Sequence, residues 1–119
     1  MAERLASYEE FWPFYVSQHM KPSTRALHFA GTTAVLGALV AGVLVSPWWF
    51  VAAPACGYAP AWVGHFFFEK NRPATFTYPW WSLRGDFRMY RLTWLGRMGP
   101  ELQRAARLYP SAAPAAAGG

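Results

Sequence analysis

Few residues in this chain could do chemistry, and they are unevenly placed. His65 closes an apolar stretch, Glu69 follows four residues later, and Lys70, Asn71 and Arg72 come directly behind. On a helix that spacing sets His65 and Glu69 on one face. His19 and His28 precede them, and Asp86 stands among the arginines that follow. Three neutral imidazoles with one or two positions left open suit Fe(II) or Zn(II). Glu69 would then be a further ligand or an acid that orients one. The spacing His-x8-His is no metal signature by itself, so the idea depends on whether the fold gathers the three. No Gly-rich phosphate loop, serine nucleophile elbow or Cys/His finger spacing occurs.

The element that must position these groups is an uncharged run from Leu27 to Phe68. Its forty-two residues are about twice the roughly 20 needed to cross a bilayer. Apolar residues make up 54% of the 119-residue chain and charged ones only 14%, against roughly 25% charged in ordinary soluble domains. Mean hydropathy is only +0.05 because the ends are polar. A net charge of +5 could suggest nucleic acid. Here, however, the cations flank apolar spans and mix with Trp, Phe and Tyr, which fits anionic headgroups and excludes a nucleic-acid partner. The single cysteine, Cys56, lies mid-span and can form no internal disulfide. No cleavable signal peptide is expected from the mixed-charge first 26 residues.

These features predict an all-α membrane protein: a two-span transmembrane helical hairpin flanked by interfacial amphipathic helices, in a single domain over residues 1–109. Residues 1–20 read as an interfacial helix. Ser7 and Glu10 form a capping box, and Tyr8, Phe11, Trp12, Tyr15 and His19 follow one face, an aromatic anchor for the membrane surface. Pro13 falls in the first turn or kinks the helix. Span 1 covers 25–45 after a turn at Lys21-Pro22-Ser23-Thr24, with Ser23 or Thr24 as cap. Span 2 covers 48–68, interrupted by Pro54 and Pro60. Both carry small-residue stripes that let helices approach closely in lipid. Residues 69–79 read as a surface loop, 80–108 as interfacial helices broken near Gly96 to Pro100, and 110–119 as a disordered Ala/Pro/Gly tail. Lys21, Arg25, Lys70 and Arg72 flank the hairpin on one side only. By the positive-inside rule both termini are cytoplasmic, giving a multi-pass protein of a bacterial inner membrane.

The hairpin settles where two histidines go. If the chain reverses between Ser46 and Pro47, residues whose numbers sum to about 93 lie at equal depth, as His28 and His65 do. His19 belongs to the same surface. A lone histidine at a membrane boundary is more often an amphipathic filler. Three at one depth beside Glu69 favour a site. Lys70 and Arg72 otherwise read as headgroup contacts. Asp86 caps the next helix, orients an arginine or supports a ligand histidine.

The motifs Phe14-Tyr15 with His19-x-x-Pro22, Arg25-x-x-His28-x-x-Gly31 and Gly64-His65-x-x-x-Glu69-Lys70-Asn71-Arg72-Pro73-Ala74 resemble a widespread family of small membrane proteins. Its characterised fungal member is an endoplasmic-reticulum dioxygenase of 2-hydroxy fatty acids in phytosphingosine breakdown. The resemblance covers about residues 7 to 95. Gly64 to Asp86, with Tyr78-Pro79-x-Trp81-Ser82-Leu83-x-x-Asp86-Phe87, is similar to the short bacterial branch. Thr24 stands where the family often has Asn, and the fungal enzyme is longer, with more spans. The resemblance implies Fe(II)- and O2-dependent shortening of a 2-hydroxy fatty acid by one carbon (alpha-oxidation), without 2-oxoglutarate. The family's essential histidines fall on His19, His28 and His65.

The residues are compatible with that chemistry. A 2-hydroxy acid can chelate iron through its carboxylate and hydroxyl and arrives from the bilayer, at the depth of the histidines. Arg25, Asn71 and Arg72 are then substrate-binding groups, and Glu69 and Asp86 the candidate catalytic acids. Phe66, Phe67, Phe68, Trp80 and Trp81 could line the acyl path. Two other readings compete: a small lipid-binding or scaffolding membrane protein with structural histidines, and a b-type haem protein with His28 and His65 as axial ligands. A two-span hairpin has little interior of its own, which makes a homo-oligomer plausible.

Overall fold

Proline and serine set the helix starts. The computed structural model describes residues 5–110, and among these there are five α-helices and no strand. They are α1 (Tyr8–Ser17), α2 (Pro22–Leu44), α3 (Trp48–Val63), α4 (Pro79–Trp94) and α5 (Met98–Leu108). A π-helical turn, Gly64–Glu69, continues α3, and a 3-10 turn covers Ala74–Phe76 inside the expected loop. Ser7 caps α1, its Oγ accepting the Glu10 N–H at 3.2 Å, as the capping-box pattern predicts. Pro13 lies inside α1, beyond its first turn. The cap expected at Ser23 or Thr24 is corrected: Lys21 is the N-cap and Pro22 the first helical residue. Proline's fixed φ and missing N–H suit that position, so the helix begins before Arg25. Pro79 opens α4 in the same way. Gly96, at φ +68°, ends α4 where a break was expected. Residues 111–119 of the expected tail lie outside the described residues.

The chain forms two compact units. One is Lys21–Asn71, an antiparallel pair made by α2 and by α3 with its π turn. α2 is long and apolar enough to cross a membrane, with a mean hydropathy of 1.8, and is the one such helix among the described residues. The α-helical part of the second leg has 16 residues, about 24 Å at 1.5 Å each, and the π turn extends it. Small residues hold the legs together. A Cβ on Gly31 would lie 3.0 Å from the Gly57 carbonyl oxygen, and one on Gly64 would lie 3.0 Å from Thr24 Cγ2. At the reversal, Val43, Leu44, Val45, Trp48 and Val51 are exposed, each by two thirds or more.

The other unit holds the chain up to Met20 and the chain from Arg72 onward. Its core is aromatic: Tyr8, Phe11, Trp12 and Tyr15 of α1 are all buried, with Tyr78, Met89, Met98 and Ala105 around them. The Phe11 ring stands 5.3 Å from Tyr78 and 5.8 Å from Trp81. Trp12 Nε1 donates to Glu101 of α5 at 2.7 Å. This corrects the expected role of α1. Its aromatic face has the predicted helical period, but Tyr8, Phe11, Trp12 and Tyr15 on it pack on protein within this unit. Exposed aromatics of this unit include Trp80, Phe87 and Trp94 on α4 and Phe76 on the 3-10 turn.

Candidate metal centre

His28 stands nearly two turns into α2, and its Nδ1 lies 3.0 Å from the Thr24 carbonyl oxygen. His65 is the second residue of the π turn. A π turn takes up an extra residue and commonly marks functional positions. After it Lys70 adopts a left-handed conformation, φ 60° and ψ 41°, which costs a non-glycine residue about 1–2 kcal/mol. The backbone N–H groups of Lys70 and Asn71 both donate to the His65 carbonyl, that of Asn71 at 2.9 Å. This folds Asn71 back over the turn, with its Oδ1 2.7 Å from His65 Nδ1. The His28 and His65 rings are edge-on to each other, with centroids 5.0 Å apart and planes at 88°. The equal depth expected from the hairpin register is therefore a ring contact.

His19 follows α1, where its N–H donates to the Val16 carbonyl at 2.9 Å. Its Nδ1 lies 2.6 Å from the Tyr15 carbonyl oxygen, and its ring stacks on the Tyr15 ring at 4.2 Å. Each histidine thus places Nδ1 against an oxygen that can only accept. A neutral ring that donates from Nδ1 to that oxygen keeps its lone pair on Nε2. A carbonyl or carboxamide behind the imidazole is the usual way a metal-binding histidine is oriented. His19, His28 and His65 are 1%, 6% and 3% exposed, so each imidazole is withdrawn from water and depends on the groups around it. Their ligand atoms lie within 4.8 Å of one another, so the three could hold a metal ion. Neutral imidazoles of one tautomer are a donor set that fits Fe(II) or Zn(II).

The other expected site residues have distinct placements. Glu69 lies outside the histidine group; its carboxylate accepts the backbone N–H of Lys21 at the start of α2. Lys21 Nζ in turn donates to the Phe68 carbonyl at 2.6 Å. Together these contacts tie the two legs at the histidine end. Arg25 is half-buried on α2, three residues before His28. Asn71, expected beside the substrate, gives its Oδ1 to His65. Arg72 is exposed, with its guanidinium 5.0 Å from the Phe76 ring centre.

Asp86 is not a helix cap. It lies in the middle of α4 and accepts the Tyr15 hydroxyl proton. Gly85 permits this approach, since a Cβ there would come within 3.1 Å of the Tyr15 ring. Burial pushes the Asp86 carboxyl up to about 7, partly offset by the Tyr15 hydrogen bond. Tyr15 is raised well above its usual value by burial first and the Asp86 charge second.

Sequence reasoning placed the histidines but missed what stands behind them. Tyr15 counted only as an aromatic, and no local signal told that Lys70 would turn left-handed and swing Asn71 onto His65. Asp86 could have been found: with Ser82 and Met89 it makes an i, i+4, i+7 set, and both of those are buried. Thr24 is fully buried, with its Oγ1 unpartnered among the described residues.

A sequence model of the Mpo1-like family, described as 2-hydroxy-palmitic acid dioxygenase Mpo1-like, matches residues 5–98. No curated protein and no solved structure matches the chain.

Proposed function

The chain belongs to the Mpo1-like family, and from that premise we propose that it is a membrane-embedded, Fe(II)-dependent dioxygenase that shortens 2-hydroxy fatty acids by one carbon. The observation that carries this reading is the shared setting of three buried histidines, each with Nδ1 against an oxygen acceptor. His19, His28 and His65 would hold the ion through Nε2. Bound iron would supply the one-electron chemistry with O2 that no side chain provides.

The remaining work falls to the chain. Tyr15, Thr24 and Asn71 fix the three imidazoles before substrate arrives, so little reorganisation is needed on binding. Arg25, near His28 and half-buried, is the cation for the substrate carboxylate. Glu69 keeps the two legs closed at this end through Lys21, and Arg72 serves as a headgroup contact.

Membrane embedding rests on the hairpin's surface. No charge occurs from Leu27 to Phe68, and the reversal exposes a run of large apolar side chains, the kind of surface that marks a membrane or partner contact. In this reading both legs enter lipid, with Lys21, Arg25 and Lys70 on the cytoplasmic side. Phe66, Phe67 and Phe68 are exposed on the leg that carries His65 and meet the acyl chain where it leaves the bilayer.

The haem alternative is disfavoured by one distance. Axial ligands face each other across a porphyrin. With metal–nitrogen bonds of about 2 Å on each side, their ring centres stand roughly 6 Å apart or more. His28 and His65 are at 5.0 Å.

The test is metal analysis of detergent-purified protein, paired with O2 uptake on 2-hydroxypalmitate. Near-stoichiometric iron and substrate-dependent uptake are expected, both lost in His65→Ala. Protein without bound metal, or uptake that survives that substitution, refutes the proposal.

A further inference from the structure

Behind His19 lies a half-buried acid that no ligand role accounts for. Asp86 comes from the middle of α4, with its carboxyl turned to the Tyr15 hydroxyl. Tyr15 in turn holds His19 at two points: its carbonyl oxygen is 2.6 Å from Nδ1, and its ring lies against the imidazole at 4.2 Å and 28°. The tyrosine ring has two further close neighbours. Trp12 stacks on it at 5.6 Å and 14°, and the Gly85 backbone leaves room for it where any Cβ would crowd it.

Enclosing a carboxyl next to a phenol carries a desolvation cost, and burial indeed raises both groups. Packing alone would be served better by an apolar side chain at position 86 and a phenylalanine at 15. What the acid adds is direction. It is an acceptor at one fixed point, so it sets the ring plane of Tyr15 and with it the plane of the stacked imidazole.

We propose that Asp86 is a positioning residue for the metal ligand His19, acting through the Tyr15 hydroxyl. This rests on the metal-site reading above. The function assigned to the pair is to hold the His19 ring where Nε2 meets the ion, the part a carboxylate behind a histidine plays in many metal sites, here with a tyrosine interposed.

The experiment measures Co(II) affinity of the full-length protein in detergent by its visible bands, with unfolding monitored in parallel. Asp86→Ala and Tyr15→Phe should each weaken Co(II) binding by about 10- to 100-fold, the usual cost of removing a group behind a metal ligand. The double variant should lose no more than the stronger single, because both act on one contact. Asp86→Asn keeps an acceptor at the same point and should restore most of the affinity. Met89→Ala, a buried neighbour on the same helix, controls for damage to the unit: it should lower the melting temperature and leave Co(II) affinity unchanged. Wild-type affinity in Asp86→Ala overturns the proposal, as does an equal loss in Met89→Ala. A wild-type protein that binds no Co(II) overturns the metal-site reading itself, and this inference with it.

Discussion

In the unit that carries His28 and His65, backbone approaches backbone: the Gly57 carbonyl oxygen lies 3.0 Å from where a Gly31 Cβ would stand. In the unit that carries His19, large rings fill the interior, and Phe11 alone is within 6.2 Å of Tyr8, Phe14, Tyr15, Tyr78 and Trp81. The first is put together as helices are in lipid, where removing apolar surface from water gives no drive and close contact must serve. The second is put together as a soluble domain is, by apolar area taken out of water. Both end in the same local device, an imidazole with its Nδ1 held by an oxygen. A rigid ligand can therefore be presented from either kind of scaffold, provided the group behind it belongs to the same unit. Tyr15 and His19 share one unit; Thr24, His28, His65 and Asn71 share the other.

The largest effect that would test this contrast is truncation of the aromatic core. Phe11→Ala should cost about 3–5 kcal/mol of stability, as complete removal of a buried aromatic does. Phe11 is fully buried and has no polar group to be compensated. Val43→Ala on the hairpin, where the side chain is 75% exposed, should cost within about 0.5 kcal/mol. Denaturant unfolding of both variants in one detergent checks the pair. Equal costs would mean that the two units are not stabilised by different means.

The contrast also explains how much could be read from the chain. The hairpin was legible because its determinants are local: an uncharged run, one reversal at Ser46-Pro47, and small residues on both legs. Register then followed, and with it the pairing of His28 with His65. The aromatic unit was half legible. The period of Tyr8, Phe11, Trp12 and Tyr15 gave a helix with an apolar face, but a period cannot say whether that face meets lipid or protein. Its partners, Tyr78, Trp81 and Glu101, lie more than sixty residues away, and only the fold brings them in. Asn71 was obscure for another reason. Its position depends on a left-handed lysine, a conformation that residue rarely adopts.

A pH experiment separates the units more finely, because Asp86 has no counterpart in the hairpin's interior, which lacks charge. With its carboxyl pushed up to about 7 from an unfolded value near 3.9, the folded protein binds more protons than the unfolded one between those limits. The contribution of Asp86 is therefore fully present below about pH 4 and is lost as pH rises toward 7, staying lost above it. At about 1.4 kcal/mol per pK unit the loss is at most about 4 kcal/mol, a figure that already includes the opposing Tyr15 hydrogen bond. Asp86→Asn should flatten the stability profile between pH 4 and 7 and raise the melting temperature at pH 8 relative to wild type. A parallel decline in both proteins would show that another group titrates in that window.

The smallest expected effect falls on the hairpin and bears on the site most directly. A methyl group at Gly31 meets the Gly57 carbonyl oxygen at 3.0 Å and the Pro60 ring at 3.1 Å. Neither can rotate away, so Gly31→Ala must push the legs apart at a cost of about 1–3 kcal/mol. Gly37→Ala is its control. Nothing lies within 4 Å of that Cβ, so the helical preference of alanine over glycine is all that remains, about 1 kcal/mol in favour of the variant. The two substitutions are chemically identical and lie on one helix, yet they should move stability in opposite directions. Gly31 is also one turn from His28, so parting the legs there widens the gap to His65. Gly31→Ala should therefore lower metal occupancy as well as stability, while Gly37→Ala leaves occupancy unchanged. If Gly31→Ala loses stability but keeps its metal, the histidine pair is held by Glu69 and Lys21 at the end of the hairpin rather than by the close approach of its legs.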